Sequence, residues 1–359
     1  KSKSMIALFI LPCALCLLLM FLYPVVRTVI MSFFQVESLT SSVSSWSFYG
    51  LGNYIKIFNS NSFLISMSNM LLIWLVGGVI TLALSMLIAV VLTSGIRGSK
   101  FFRAAIYLPN IVSAVALATM WVQYVFNYDY GLLNNIVTML GLEKVKWLGS
   151  DSKFWAMMAA FIFGSVGYYM LIYISGIEGI PKDLYEAATL DGANKVKQFT
   201  LITLPLLKGI IKTSITFWSI NATTFFLWTK MFSPVQTEES TIVPVIYLYD
   251  IVFGGKGITQ RDAGAGAQEV RPGVLRRQSM AKYNSRINWR KEAKLLPGYI
   301  IVVAWVLFTA VVLFWIFAAS LSTSREIFSG AVLEFASGFH WENYATAWST
   351  QNVSVFFAN

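Results

Sequence analysis

What the chain lacks most is charge. Only 12% of its 359 residues are Asp, Glu, Lys or Arg, where an ordinary soluble domain carries about a quarter. With 57% apolar and 15% aromatic residues and a mean hydropathy of +0.65, too little polar surface remains to cover soluble globules of this length. Disorder and a collagen-like fibre are excluded by the same composition. Two cysteines and one histidine exclude a secreted disulfide scaffold. Cys13 and Cys16 have a C-x-x-C spacing but fall inside a continuous apolar run with no further Cys or His nearby, so they read as small apolar helix residues. His340, in a polar loop, reads as a solvated surface residue.

Positive charge is in excess, +10 overall, but it is not spread over a face. Between Arg271 and Lys294 stand Arg271, Arg276, Arg277, Lys282, Arg286, Arg290, Lys291 and Lys294 against one acid, Glu292, so this block holds +7 of the total. That concentration gives no support to a nucleic-acid surface.

Crossing about 30 Å of hydrocarbon takes roughly 20 apolar residues, and six runs qualify: residues 5–31, 69–93, 104–126, 154–177, 209–229 and 295–321. The first is too long for a signal peptide and has no small-residue cleavage site. Residues 32–68 and 127–153 read as polar, aromatic loops, and 178–208 as a long amphipathic segment. The short connection 94–103 carries Arg97, Lys100 and Arg103, whereas the longer 32–68 loop carries only Lys56. By the positive-inside rule the N-terminus is cytoplasmic, and 178–208, with Lys182, Lys195, Lys197 and Lys208, is cytoplasmic too. No Asp or Glu falls within the six runs, although proton- and ion-coupled transporters usually place carboxylates there. Energy for any transport is then expected from outside the bilayer.

Within the amphipathic segment, Ile180 to Gly192 reads as a short helix. Pro181 suits its first turn, Asp183 and Glu186 complement its positive end, and Gly192 is a natural stop. A second short helix is expected over residues 193–203, ahead of Pro205. Two helices meeting at a glycine form an elbow whose small residues, Ala187 and Ala188, allow close approach by another protein. A plain amphipathic helix on the membrane surface is the simpler alternative.

Glu186-Ala187-Ala188, then Gly192, then Ile202-x-Leu204-Pro205 resembles the complete EAA signature of binding-protein-dependent ABC importer permeases. Mere amphipathicity does not require that spacing. Leu11-Pro12, Tyr23-Pro24, Gly50-Leu51-Gly52-Asn53-Tyr54, Phe102-Arg103, Leu108-Pro109 and Gly131-Leu132-Leu133-Asn134 are similar to the carbohydrate branch, and to its maltose-type larger permease. The resemblance implies an all-α, polytopic transmembrane helical bundle of the type I ABC importer permease kind. It implies that Glu186, Ala187, Ala188, Gly192, Ile202, Leu204 and Pro205 form the ATPase-coupling loop. It also implies as partners ATPase subunits, a partner permease, an extracytoplasmic substrate-binding protein, a sugar substrate and membrane lipid, at the plasma membrane. The chain has no phosphate-binding G-x-x-x-x-G-K-[ST] loop: Gly255-Lys256 is followed by Gly257 and has Asp250 where the first glycine belongs. ATP hydrolysis is thus expected on another polypeptide, and neither a catalytic residue, a metal nor a cofactor is expected here.

For the substrate path, Ser214, Trp218 and Asn221 fall at i, i+4 and i+7, and Ser165 and Tyr168 three apart on the preceding span. Sugars bind through aromatic stacking and hydroxyl hydrogen bonds. Helix packing uses the same residue types, so both readings stand.

Residues 1–267 are expected to form the permease domain, 268–294 a basic junction, and 295–359 the first span and following loop of a second permease-like segment. Asp262 to Ala267 resembles the lead-in to a sixth span, which Gln268 to Gly273 then replaces. Residues 322–328 and Trp341-Glu342-Asn343-Tyr344 with Ala347-Trp348 resemble the opening of the partner permease. Two adjacent frames joined into one would account for this, as would a natural linker, and the basic block would then fall on the outside. A membrane-embedded enzyme is disfavoured by the missing constellations. A non-transport scaffold or sensor does not explain the spacing from Glu186 to Pro205.

Overall fold

The structure is a computed structural model, and it describes residues 2–36, 46–253, 296–322 and 338–343. The expected junction at 268–294, its lead-in at 262–267, and the motif residues at 323–328, 344, 347 and 348 lie outside them.

The chain is helical almost throughout. Helix α1 comprises Ser2–Leu17, a π-helical turn Leu18–Leu22 and Tyr23–Met31. A two-residue ladder, β1 Phe34–Gln35 with β2 Ser47–Phe48, and helix α2, Gly52–Phe58, follow. Then come α3, Asn61–Thr93; α4, Ser99–Ile111; α5, Ala114–Val125; α6, Leu132–Met139; and α7, Lys153–Glu178. Beyond these lie α8, Lys182–Leu190; α9, Lys195–Leu206; α10, Lys208–Thr223; α11, Phe226–Phe232; α12, Pro244–Phe253; and α13, Leu296–Ser320. Among the described residues, four helices are long and apolar enough to cross a membrane, or six if each of two bent pairs counts as one span.

Three expectations need correction. The loops expected over 32–68 and 127–153 are partly helical: the first contains α2 and the first turns of α3, where Ser, Asn and Met alternate with Phe, Leu and Ile on a helical period, and the second contains α6. The single span over 104–126 is broken: α4 and α5 meet at 93°. Pro109 supplies no N–H to the carbonyl of Ala105, and Val112 and Ser113, with ψ of 138° and 134°, are extended. The run 209–229 is also interrupted. At Ile220 the carbonyl accepts from Thr224 N (3.1 Å) and from the hydroxyls of Thr223 and Thr224 (2.9 and 2.8 Å), which ends α10. Together α9 and α10 form the second bent pair, at 67°.

One compact unit is drawn from the described parts of 1–70 and 233–283. In it Asn53, the buried residue of the Gly52-Asn53-Tyr54 motif, donates to the carbonyls of Ser32 (3.0 Å) and Phe34 (2.8 Å), while Tyr54 Oη pairs with Ser32 Oγ at 2.7 Å. Asn69 donates to the carbonyls of Glu239 and Ile242. These bonds explain why a motif of small and polar residues follows the first span: it ties the chain's return.

The second unit takes the described parts of 71–232 and 284–359. Its centre is α7, flanked by α3, α4 and α10. Close approach depends on glycine. A Cβ on Gly167 would fall 2.4 Å from the Ile106 carbonyl oxygen, so only hydrogen lets α4 cross α7 there. Ser85 Oγ donates to the Val166 carbonyl across the α3–α7 contact at 2.9 Å. Helix α13 packs on α3, α4 and α5. Its Gly298 faces Val91, the Arg97 amide donates to Tyr299 Oη at 2.7 Å, and Trp305 and Phe308 lie 6.0 and 5.5 Å from Phe163, centroid to centroid. Cys13 and Cys16 are free and exposed on α1. His340 Nδ1 and Glu342 Oε1 pair at 2.5 Å, and this contact holds the Glu342 carboxyl below its ordinary range.

Candidate functional site

The segment after α7 folds as an elbow. Extended at ψ 132°, Pro181 precedes the first turn of α8, where Asp183 sits. The helix stops at Gly192, whose φ of +78° is left-handed, a conformation that costs other residues about 1–2 kcal/mol. Gly192 N donates to the Thr189 carbonyl and Ala193 N to the Ala188 carbonyl, covering two of the last carbonyls of the helix. Asn194 caps α9 by accepting from Lys197 N at 2.8 Å. A π-helical turn, Phe199–Thr203, then leads to Leu204 and Pro205.

Polar side chains fasten the two arms from inside. Gln198, only 4% exposed, donates through Nε2 to Thr189 Oγ1 (2.9 Å) and to the Ala193 carbonyl (3.2 Å), and accepts from Lys195 Nζ (3.1 Å). Tyr185 Oη meets buried Thr203 Oγ1 at 2.8 Å. No signal in the sequence singled out Gln198, Tyr185, Thr189 or Thr203, since each bond joins residues 5 to 18 apart across a turn whose angle was not known.

Outward, Glu186, Ala187 and Gly192 are exposed, Ala188 and Ile202 are half-buried, and Leu204 and Pro205 are exposed. Around them Leu190 is 89% exposed, with Val196 and Leu201 also open. Large apolar residues presented by a rigid, capped elbow form a surface that another protein can cover. At its base Glu178, the last residue of α7, pairs with Arg103 of α4 at 2.6 Å. Gly176 admits Ile210 and Leu207, so α7 also abuts the start of α10. The elbow is therefore joined to the spans at both ends.

The proposed path residues separate. Ser214 and Trp218 are buried on the face of α10 that packs inward. Trp218 Nε1 donates to the Trp74 carbonyl at 2.8 Å, in the π-helical turn Ile73–Gly77 of α3, and its ring fills the space left by Gly77 and Gly78. Asn221 is exposed and donates to Tyr169 Oη at 3.0 Å. Ser165 and Tyr168 are half-exposed on α7, with the Tyr168 ring 6.5 Å from Phe217.

The family model described as the binding-protein-dependent transport system inner membrane component matches residues 81–252. The probable ABC transporter permease protein YurN of Bacillus subtilis is 32% identical over 260 residues, covering 70% of this chain and 87% of that one. The chain belongs to this family. It is a multi-pass membrane permease subunit of an ABC importer, a transport component and not itself an enzyme. The trehalose/maltose permease protein MalF of Thermococcus litoralis is 31% identical over 220 residues, 61% of this chain and 73% of that one. The diacetylchitobiose uptake permease NgcF of Streptomyces coelicolor is 31% identical over 222 residues, and the chain spans 63% of its length. A crystal structure of a bacterial ABC transporter that imports alginate has the same fold, with a TM-score of 0.61 at 18% identity, over 86% of this chain and 96% of that one. That share exceeds what residues 1–267 alone supply, so the likeness reaches into the C-terminal part.

Proposed function

We propose that the permease forms the membrane path for a sugar or oligosaccharide and that the 180–205 elbow takes up the motion of a separate ATPase. The observation that carries the coupling role is the elbow itself. It is braced internally by Gln198 and Tyr185, presents Glu186, Ala187 and Leu190 outward, and is fixed to α4, α7 and α10 at its base. A lever of this kind transmits displacement because packed elements shift between discrete arrangements and do not deform continuously. Glu186, Ala187 and Ala188 would meet the ATPase, Gly192 sets the turn, and Ile202, Leu204 and Pro205 pass the movement to α10. The sugar class rests on relatives named for trehalose and maltose and for diacetylchitobiose import. By the same reasoning the permease works with a partner permease, an ATPase dimer and an external binding protein, since a related structure contains a periplasmic protein carrying an alginate pentasaccharide. A scaffold or sensor leaves the elbow without a use.

Of the path residues, Ser165, Tyr168 and Asn221 keep accessible polar groups, while Ser214 and Trp218 serve packing in this conformation. The N-terminus is cytoplasmic in this reading, as Arg97, Lys100 and Arg103 require. Helix α13 begins beside Arg97, at the end of the bundle that also holds Arg103, Glu178 and the elbow. That is the direction of a first span with a cytoplasmic N-terminus, and it supports residues 295–359 as the opening of a second permease joined to the first. Uninterrupted genomic DNA encoding one frame across 268–294 would favour a natural fusion over two joined frames.

The test of function is uptake of labelled maltose, trehalose and diacetylchitobiose by proteoliposomes holding this chain with its ATPase, partner and binding protein. ATP-dependent uptake of at least one, lost when any component is omitted, is expected; uptake independent of ATP would overturn the proposal.

A further inference from the structure

The loop at the opposite end of α7 from the elbow carries a feature the transport reading does not use. Residues 127–152 are held together by one buried side chain. Asn134 Nδ2 donates to the carbonyls of Tyr128 (3.1 Å) and Val145 (3.0 Å), and its Oδ1 accepts from Val145 N and Trp147 Nε1, both at 3.0 Å. Ser152 Oγ donates to the Lys146 carbonyl at 2.6 Å, joining the loop to the first turn of α7. A loop built so tightly has every means to fold its apolar residues inward. Tyr130 and Leu132 do fold inward, but a second set faces out: Met139 is 86% exposed, Leu140 71% and Leu142 62%, with Ile136 on the same face of α6. Tyr128 and, in the first turn of α7, Trp155 are exposed as well.

We infer that α6 and the turn after it lie in the membrane–water boundary as a lipid-facing anchor, with Ile136, Met139, Leu140 and Leu142 inserted among the upper acyl chains. Continuity decides the occupant. Helix α7 enters the bilayer at this same end, and its exposed Trp155 and adjoining Lys153 are residues that mark the headgroup level of a span. Burying apolar side chains at that level among acyl chains is favourable. The Lys144 ammonium, which donates to the Asp129 carbonyl and lies 5.8 Å from the centre of the Tyr128 ring, stays at the polar edge. Residues 127–153 hold three acids and three lysines, so the attachment is driven by apolar insertion and not by lipid charge. Fixed by Asn134, the anchor sets the depth at which α7 sits, and α7 bears the elbow at its other end.

The test uses the chain with Cys13 and Cys16 replaced by Ala, assembled with its ATPase and partner permease in liposomes. Single cysteines at Met139, Leu140, Leu142 and, for comparison, Ser150 are labelled with a nitroxide. Their collision rates with oxygen and with a water-soluble nickel chelate are then measured. The inference predicts oxygen-dominated collisions at 139, 140 and 142, nickel-dominated collisions at 150, and the same depths in zwitterionic and anionic vesicles. Nickel access at 140 and 142 equal to that at 150 would overturn it. So would shielding from both reagents, which would mean a protein covers the face, or a depth that changes with anionic lipid. Loss of the ATPase subunit from these preparations would count against the coupling reading and leave the depth measurement standing.

Discussion

The elbow should act as a lever only while its arms stay fastened, and the fastening can be removed without touching its outer face. Consider Gln198→Leu combined with Tyr185→Phe. The first deletes donation to Thr189 Oγ1 and to the Ala193 carbonyl, and the second deletes the pairing with Thr203. Lys195 is exposed and exchanges its bond to Gln198 for water. Three hydrogen bonds at a net contribution of about 1 kcal/mol each amount to about 3 kcal/mol. At about 1.4 kcal/mol per factor of ten, the population with parted arms rises roughly a hundredfold. Glu186, Ala187 and Leu190 remain in place, so the ATPase subunit should still bind and hydrolyse ATP. Part of that work should no longer reach α10. The assay is the ratio of sugar imported to ATP hydrolysed in proteoliposomes, which is expected to fall in the double variant and by less in each single one. An unchanged ratio would refute the lever. A loss of ATPase binding in step with uptake would show that these bonds shape the docking face instead.

Three further outcomes are expected. Gly192→Ala, at φ +78°, should cost about 1–2 kcal/mol and weaken ATPase-subunit retention in a pull-down, whereas Gly192→Pro, with the wrong φ and no N–H for the Thr189 carbonyl, should abolish it. Gly78→Val would set a Cβ 2.4 Å from Trp218 Nε1 and should lower thermal stability in detergent by about 1–3 kcal/mol, more than Trp218→Phe, which loses one hydrogen bond of about 1 kcal/mol. Asn134→Leu leaves the Tyr128 and Val145 carbonyls and the Trp147 indole without their partner, and should speed trypsin cleavage at Lys144 and Lys146 in the folded protein.

The elbow was legible because its instructions are local. Pro181, Asp183 and Gly192 fix where α8 starts and stops, and the Glu-Ala-Ala, Gly and Leu-Pro spacing motivates its proposed use. Apolar length likewise located the six candidate spans. It did not locate the breaks, because hydropathy is blind to whether a run is straight. Pro109 was visible, but the bend after it also depends on Ile106 pressing against Gly167, two residues that meet only in the folded bundle. Trp218 shows a different limit. A stripe of Ser, Trp and Asn suits a sugar path and a helix contact equally, and the facts that bear on the choice, the cleft at Gly77 and Gly78 and the Trp74 carbonyl of a π-helical turn, stand far away in sequence. Leu140 and its neighbours sat in a segment expected to be polar, where period alone could not tell an inward face from an outward one.

Coupling through the elbow is tested most directly at its outer face. Co-purification of the ATPase subunit with the Glu186→Lys chain, at unchanged amounts of chain in the membrane, should fall at least roughly tenfold, as expected when a charge is reversed in a covered contact worth about 1.4 kcal/mol or more. Undiminished retention together with undiminished ATP-dependent uptake would contradict the coupling role of residues 180–205.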